Sequence, residues 1–168
     1  MAVSTEMVRA YTGPRAAMRR QLAGGENEGR ALVYLMIGCL IFFVAQLPRL
    51  SREHFFDPSI PLEARVSAAL YGWMFIAPLF FIVLAAVSHI FARLVGGCGT
   101  WFSARMALFW SLLVVSPLGL LLGLVSGFIG QGPAQKATSL LLVAAFFYIW
   151  GSGLIEAERR TPPETGAA

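Results

Sequence analysis

The sequence predicts an all-α fold, a polytopic transmembrane bundle of four spans preceded by a short N-terminal interfacial helix. Hydrophobic residues make up 57% of the 168 residues and charged residues only 13%, whereas a soluble domain carries about 25% charged residues. Long charge-free stretches separate Arg30 from Arg49, Arg65 from Arg93, Arg105 from Lys136, and Lys136 from Glu156. Each stretch approaches or exceeds the roughly 20 apolar residues that a helix needs to cross a bilayer.

We predict the spans at positions 31–48, 67–94, 105–129 and 137–155. They must be helices, because the backbone polar groups of a segment in hydrocarbon have to be satisfied within that segment. A barrel strand would alternate apolar and polar residues, whereas the run "LLVVSPLGLLLGLV" is continuously apolar. The predicted domains are a basic cytoplasmic segment, the transmembrane domain and a disordered cytoplasmic tail, at 1–30, 31–156 and 157–168.

The distribution of basic residues predicts the orientation. With four spans, both termini and the turn after span two share one side, which holds nine arginines against four basic residues opposite. The positive-inside rule therefore places both termini in the cytoplasm. Arginine outnumbers lysine twelve to one, which is typical of a GC-rich bacterial genome, and the first 30 residues lack the apolar core of a signal peptide. We expect a multi-pass protein of the bacterial inner membrane.

The N-terminal stretch "TGPRAAMRRQLAGG" predicts a short helix before the first span. Thr12 can cap it, and Pro14 lies where its missing N–H does no harm. The side chains of Arg15, Arg19 and Arg20 cover one side, so the helix can lie on the inner leaflet among anionic lipid head groups. The alternative is that these arginines only enforce the topology.

The third span carries a packing signal. Gly119, Gly123 and Gly127 recur every four residues, so they share one helix face. Such a glycine zipper lets another helix approach closely. The partner is either another span, with Gly151 and Gly153 as candidates for the facing side, or a second copy of the chain.

The turn "RLVGGCGTWFSAR" raises the question of a ligand loop. A phosphate-binding loop needs G-x-x-x-x-G-K-[ST], and the spacing of Gly96, Gly97 and Gly99 does not provide it. The glycines instead follow the last apolar residues of span two, where a left-handed helix end favours glycine. Thr100 can cap the next helix and Trp101 suits head-group depth.

Ionisable residues flank the spans at the cytoplasmic interface. His89 lies one turn before Arg93 at the end of span two, and Glu156 follows span four at the same depth, where it can pair with either. Arg105 begins span three. We interpret these residues as an interfacial charge cluster and not as a proton relay, because a relay requires an acid near the midplane.

Several classes of function lack the residues they need. Two cysteines and two histidines, far apart in the sequence, predict neither a disulfide nor a metal site, and we expect no cofactor and no catalytic constellation. No basic, aromatic-laced soluble domain is present to bind nucleic acid. Pro78 and Pro117 lie within spans two and three, where a packing kink is the preferred interpretation.

The order of elements resembles the Ypt-interacting (Yip-type) membrane domain family in its bacterial form. The resemblance rests on the lead-in "TGPRAAMRRQL" and on "LVGGCGTWFSARMALFWSLLVVSP", with its GG-x-GT…P pattern, and covers about residues 10–156. It implies an integral membrane protein without known catalytic chemistry. Eukaryotic members resemble adaptors of Rab-type GTPases, a partner not expected here.

Together these observations predict a non-enzymatic membrane scaffold or adaptor. Its expected partners are the lipid bilayer, anionic head groups, and either a second copy or another membrane protein. The alternative is a small transporter or channel subunit, whose kinked helices would line a path for a solute.

Overall fold

A computed structural model of the chain describes residues 3–159, and every regular element in that range is helical. The order is α1 (Val3–Thr12), α2 (Pro14–Ala23), α3 (Glu28–Phe56), α4 (Leu62–Tyr71), a π-helical turn (Gly72–Ile76), α5 (Ala77–Leu94), α6 (Trp101–Phe128) and α7 (Pro133–Ala157). The first residues of the predicted tail belong to the folded part, because α7 ends at Ala157 and Glu158 is buried. The rest of that tail, residues 160–168, lies outside the described residues.

Four helical rods are long and apolar enough to cross a membrane. They are α3, the continuous rod Leu62–Leu94 that α4, the π-helical turn and α5 form together, α6 and α7. This confirms the predicted all-α architecture with four spans. The α3 rod runs past its predicted span because "RLSREHFF" is rich in residues that favour a helix and continues it to Phe56.

The centre of the bundle is α6. Of its most apolar stretch 56% is buried, against 33% for α3, 17% for the rod Leu62–Leu94 and 11% for α7. α3 lies parallel to α6, since Gly38 faces Leu112 and Pro48 faces Gly127. Both α3 and α7 pack on α6, yet their Cα atoms come nowhere within 8 Å of each other over residues 3–159. A groove, which we call the α6 groove, therefore runs along α6 between them.

The two ends of the bundle differ. At the end that we call the termini side, α3 and α6 begin and α5 and α7 end, and Arg105 Nη2 lies 2.5 Å from Glu28 Oε1. At the opposite end, the loop side, Arg52 Nη1 donates to the carbonyl oxygens of Gly127 and Phe128 at 3.3 and 3.2 Å. These carbonyls end α6 and have no partner within the helix.

The predicted cap of α6 is present. Thr100 Oγ1 accepts from the Ser103 N–H at 3.1 Å, and Ser103 Oγ accepts from the Thr100 N–H at 3.0 Å. This reciprocal pair satisfies two backbone donors that the first turn would leave unpaired.

The glycine face of α6 packs against α3 of the same chain. A Cβ on Gly119 would lie 2.5 Å from Phe42 Cε1, one on Gly123 would overlap the Ala45 carbonyl oxygen, and one on Gly127 would overlap Pro48. The alternative facing side is not used: Gly151 has nothing within 4 Å of its Cβ position, and Gly153 lies near Met18 and Ala107.

The predicted N-terminal helix is α2, and a second helix, α1, precedes it that the sequence did not predict. Gly13, and not Thr12, is the residue before α2, and no side chain caps it. The two helices form a pair, the N-terminal hairpin (residues 3–23). It packs along α6 and α7, with Ala17 near Ile149 and Met18 near Gly153, instead of lying apart from the bundle.

The hairpin occupies the termini-side half of the α6 groove. Ala10 and Ala17 are fully buried there in one cluster with Trp110, Val114 and Ile149. The Tyr11 hydroxyl donates to the Val114 carbonyl at 2.7 Å. Because a helix rises about 1.5 Å per residue, this contact lies about 20 Å along α6, near the middle of the span.

Pro117 explains the polar contacts nearby. Its missing N–H leaves the Leu113 carbonyl without an intrahelical donor, and the Ser116 hydroxyl donates to that oxygen at 2.7 Å. In span two, the π-helical turn Gly72–Ile76 ends two residues before Pro78. Both prolines therefore lie beside local departures from regular α-helical hydrogen bonding.

Candidate functional site

The sequence-predicted site residues gather mainly on the termini side. The glycine turn joins α5 to α6 there, and the end of α7 lies against it: the Cys98 N–H donates to the Glu158 carbonyl at 3.0 Å. The hairpin reaches the same end of the bundle through Arg19, whose Nε lies 3.3 Å from Glu156 Oε1.

The three glycines of the turn have two different roles. Gly96 adopts φ +94°, the left-handed conformation that ends α5. Gly97 and Gly99 make room for Glu158, because a Cβ on Gly97 would lie 2.6 Å from Glu158 Oε2 and one on Gly99 2.8 Å from it. The turn is thus a helix end and also a cradle for one carboxylate of the chain itself.

Glu158 is the residue that connects this region. Its Oε2 accepts from the Gly99 N–H at 2.9 Å, and its Oε1 accepts from His89 Nδ1 at 2.9 Å. His89 is only 2% exposed, and its ring lies 4.5 Å from that of Trp101. One side chain therefore ties α5, the turn and α7 together.

The predicted trio of His89, Arg93 and Glu156 does not form. Glu156 pairs with Arg19 and with Arg159, whose Nε lies 3.5 Å from Oε2. The partner of His89 is Glu158, which the sequence reading missed because it assigned that position to the tail. Glu158 follows Leu154 by one helical turn, a spacing that indicates the same face of an extended α7.

The arginines of the hairpin divide into paired and unpaired side chains. Arg20 Nε lies 2.7 Å from Glu6 Oε2, and this hydrogen bond, with a lesser contribution from Arg9, holds the pKa of Glu6 below its usual value. Arg19 pairs with Glu156. The guanidinium groups of Arg15 and, at the end of α5, of Arg93 are exposed and form no hydrogen bond or ion pair within residues 3–159.

Further contacts fasten the hairpin to α3. Arg30 Nη2 donates to the Gln21 carbonyl at 2.7 Å, and the Tyr34 hydroxyl donates to Gln21 Oε1 at 3.2 Å. Apart from Arg30, which counts among the basic residues that predict the orientation, these residues could not be identified from the sequence. Their partners lie on elements distant in sequence.

Ion pairs and hydrogen bonds between separate elements make up this arrangement. In the described part of the chain, no three His, Cys, Asp or Glu side chains lie close enough to hold a metal ion. Cys39 is buried in α3 and Cys98 is exposed in the turn, and neither is in a disulfide. The ionisable residues instead hold the ends of three rods and the hairpin in place.

Comparison with known proteins identifies the family. The model of the Yip1 domain matches residues 8–168, which is nearly the whole chain. No match to a curated protein or to a solved structure is found. With its four apolar rods and this match, the chain belongs to the Yip1 domain family of multi-pass membrane proteins.

Proposed function

We propose that the protein is a non-enzymatic scaffold of the bacterial inner membrane. Both termini lie in the cytoplasm, and the bundle assembles with itself or with another membrane protein. The basic surface of the termini side faces anionic lipid head groups. Neither a cofactor nor a nucleic acid takes part.

The proposal rests on one observation: the docked hairpin leaves its arginine side chains exposed. Its apolar side is buried in the α6 groove, so Arg19 and Arg20 are left exposed on the other side, and Arg15, four residues after Tyr11, is exposed deeper along the bundle. Arg93 adds an unpaired guanidinium at the same end of the bundle. A basic surface beside the membrane attracts anionic lipids and favours the cytoplasmic side.

The buried ionisable residues support a structural role over an enzymatic one. Glu6, His89, Glu156 and Glu158 each contact a partner from another part of the chain. A catalytic acid or base would instead be directed towards a space where a substrate can bind.

In-cell photo-crosslinking tests the proposal. The crosslinking amino acid p-benzoylphenylalanine replaces Arg15, and, as a matched control, Val83 on the exposed surface of span two. We expect a discrete protein adduct, either a second copy or one defined membrane protein, from position 15 and none from position 83. Adducts with lipid alone at both positions would contradict the scaffold.

A small transporter or channel subunit is the second candidate. A cavity at the loop-side end of the α6 groove, lined by Arg49, Glu53 and Gln135, favours it. Proteoliposomes would then take up a solute, and removing residues 1–23 would increase the uptake because the hairpin closes the groove. No uptake from a broad panel of solutes, with and without the hairpin, would exclude this candidate.

A further inference from the structure

The loop-side half of the α6 groove is an open crevice. Two connected cavities of about 640 and 90 Å³ lie between α3, α6 and α7. They share Arg49, Ser126 and Gln135 in their walls. The larger cavity, the vestibule, opens where the helices end, and the smaller one, the neck, continues to Phe42. Beyond Phe42 the hairpin fills the groove.

Neutral hydrogen-bonding side chains line the crevice without any partner. Gln46, Gln131 and Gln135 make no side-chain hydrogen bond to the part of the chain that the structure describes. Neither does Ser126, although it is only 6% exposed and lies in the wall of both cavities. Gln131 is exposed and Gln46 and Gln135 are half-buried, so the donors and acceptors of these side chains remain available to a ligand that enters the crevice.

The charged side chains of the vestibule leave one guanidinium available. Glu53 contacts Arg49 Nε at 2.9 Å and Arg65 Nη1 at 3.8 Å. Asp57 accepts from the Ser59 N–H and contacts Arg65, which together hold its pKa below the usual value. Both acids are therefore engaged.

Arg49 is the arginine of the vestibule whose two terminal nitrogens are both free of hydrogen bonds in the described part of the chain. Arg52 is occupied by the carbonyls at the end of α6 and by the ring of Phe56, and Arg65 by the two acids. The terminal nitrogens of Arg49 have no hydrogen-bond partner within residues 3–159. Three arginines against two acids give the vestibule a net positive charge.

These groups suit a phosphate. A phosphate is an anion with several acceptor oxygens, and an arginine can bind it through two parallel hydrogen bonds. The amides and the hydroxyl supply the remaining donors. The neck is different, because Phe42, Ala45 and Leu122 give it apolar walls. A ligand with a phosphate and a hydrocarbon chain matches both parts.

The position of the crevice favours an amphiphile from the bilayer. Phe56 and Phe128 are 69% and 78% exposed at the same end of the bundle, and aromatic side chains of this kind lie at the membrane–water interface. α3 and α7 are separated along the groove, so a lipid chain can enter sideways from the bilayer.

We propose that the crevice binds a phosphate-bearing amphiphile, whose phosphate contacts Arg49, Ser126 and Gln135 and whose hydrocarbon chain begins in the neck. The site is separate from the basic surface of the termini side. It does not depend on the scaffold proposal, and either can fail without the other.

Native mass spectrometry of the full chain in mild detergent tests the site. The probes are dioleoylphosphatidylglycerol, dioleoylglycerol, which lacks the phosphate, and inorganic phosphate. We expect one phosphatidylglycerol retained per chain and no retained dioleoylglycerol. Arg49→Gln combined with Gln135→Leu should weaken retention at least about tenfold, the effect of losing hydrogen bonds to a charged group.

The controls locate the site and check folding. Arg93→Gln removes an unpaired arginine on the termini side and should leave retention unchanged, and a thermal melt should show that all variants are folded. Equal loss in Arg93→Gln would overturn the proposed location. Retention of dioleoylglycerol would overturn the role of the phosphate. Binding of inorganic phosphate without lipid would assign the site to a soluble phosphate and overturn the amphiphile.

Discussion

The two halves of the α6 groove are built on opposite principles. The termini-side half is filled by protein, with alanines of the hairpin packed against Trp110 and Ile149. The loop-side half contains a crevice with unpartnered amides, and there α3 is held to α6 by close backbone approach at the glycine face. One helix thus supports a closed, stabilising region and an open region suited to a ligand.

The largest loss of stability is expected on the glycine face, where the backbones of α6 and α3 are in direct contact. Gly123→Ala places a Cβ on the Ala45 carbonyl oxygen, and backbone cannot yield as a flexible side chain can. We expect the free energy of unfolding to fall by about 3 kcal/mol, measured by titration with sodium dodecyl sulfate in mixed micelles. Gly151→Ala, whose Cβ meets nothing, is the matched control. Equal losses of unfolding free energy in the two variants would show that the glycine face is not a packing surface.

A larger side chain in the termini-side half of the groove should lower the free energy of unfolding by somewhat less. Ala17 is fully buried on the side of the hairpin that faces the α6 groove, and its neighbour Ala16 is exposed. Ala17→Leu should lower the free energy of unfolding by about 2 kcal/mol, because a well-packed site has no room for added methylenes. Ala16→Leu should have no measurable effect in the same titration. If Ala17→Leu is also neutral, the hairpin does not dock in the groove.

A single hydroxyl tests the deepest contact of the hairpin. Tyr11→Phe removes the donor to the Val114 carbonyl, and a lost hydrogen bond costs about 1 kcal/mol. Hydrogen exchange should then be faster in α1 than in the unmodified protein, since α1 opens more often. Tyr148→Phe, on the exposed side of α7, serves for comparison. Unchanged hydrogen exchange in α1 would mean that the Tyr11 hydrogen bond does not stabilise α1 in its docked position.

The smallest expected effect is a dependence on pH in the closed half. Arg20 lowers the pKa of Glu6 from 4.5, so the pair contributes stability above that value. This contribution is lost as the pH falls below 4.5 towards the pKa of the folded state. The unfolding midpoint of the unmodified protein should fall more between pH 7 and pH 4 than that of Glu6→Gln. The same fall in both proteins would show that Glu6 does not contribute.

The features that the sequence predicts well are those set by local chemistry. Charge-free stretches identified the four spans, and Thr100 identified the start of α6. The glycine face was visible from its spacing, but its partner was not, because spacing carries no information about which helix approaches.

The features that it does not predict depend on how separate helices are rotated and spaced. The contact of His89 with Glu158 requires α7 to extend past its apolar stretch and turn the right face towards α5. An amphipathic N-terminal helix can bury its apolar side in lipid or in protein, and here it packs into protein. The crevice exists only because α3 and α7 stay apart, which no local pattern encodes.

The docking of the hairpin also constrains the order of assembly. The hairpin is synthesised before Trp110, Val114 and Ile149, the residues that it covers. The apolar side of the hairpin therefore stays exposed, or is covered by other components, until α6 and α7 are inserted. The contact between Arg19 and Glu156 can form only after α7 has been made. A chain that stops before α7 has no Glu156 for this contact, and its unburied hairpin would distinguish it from a finished protein.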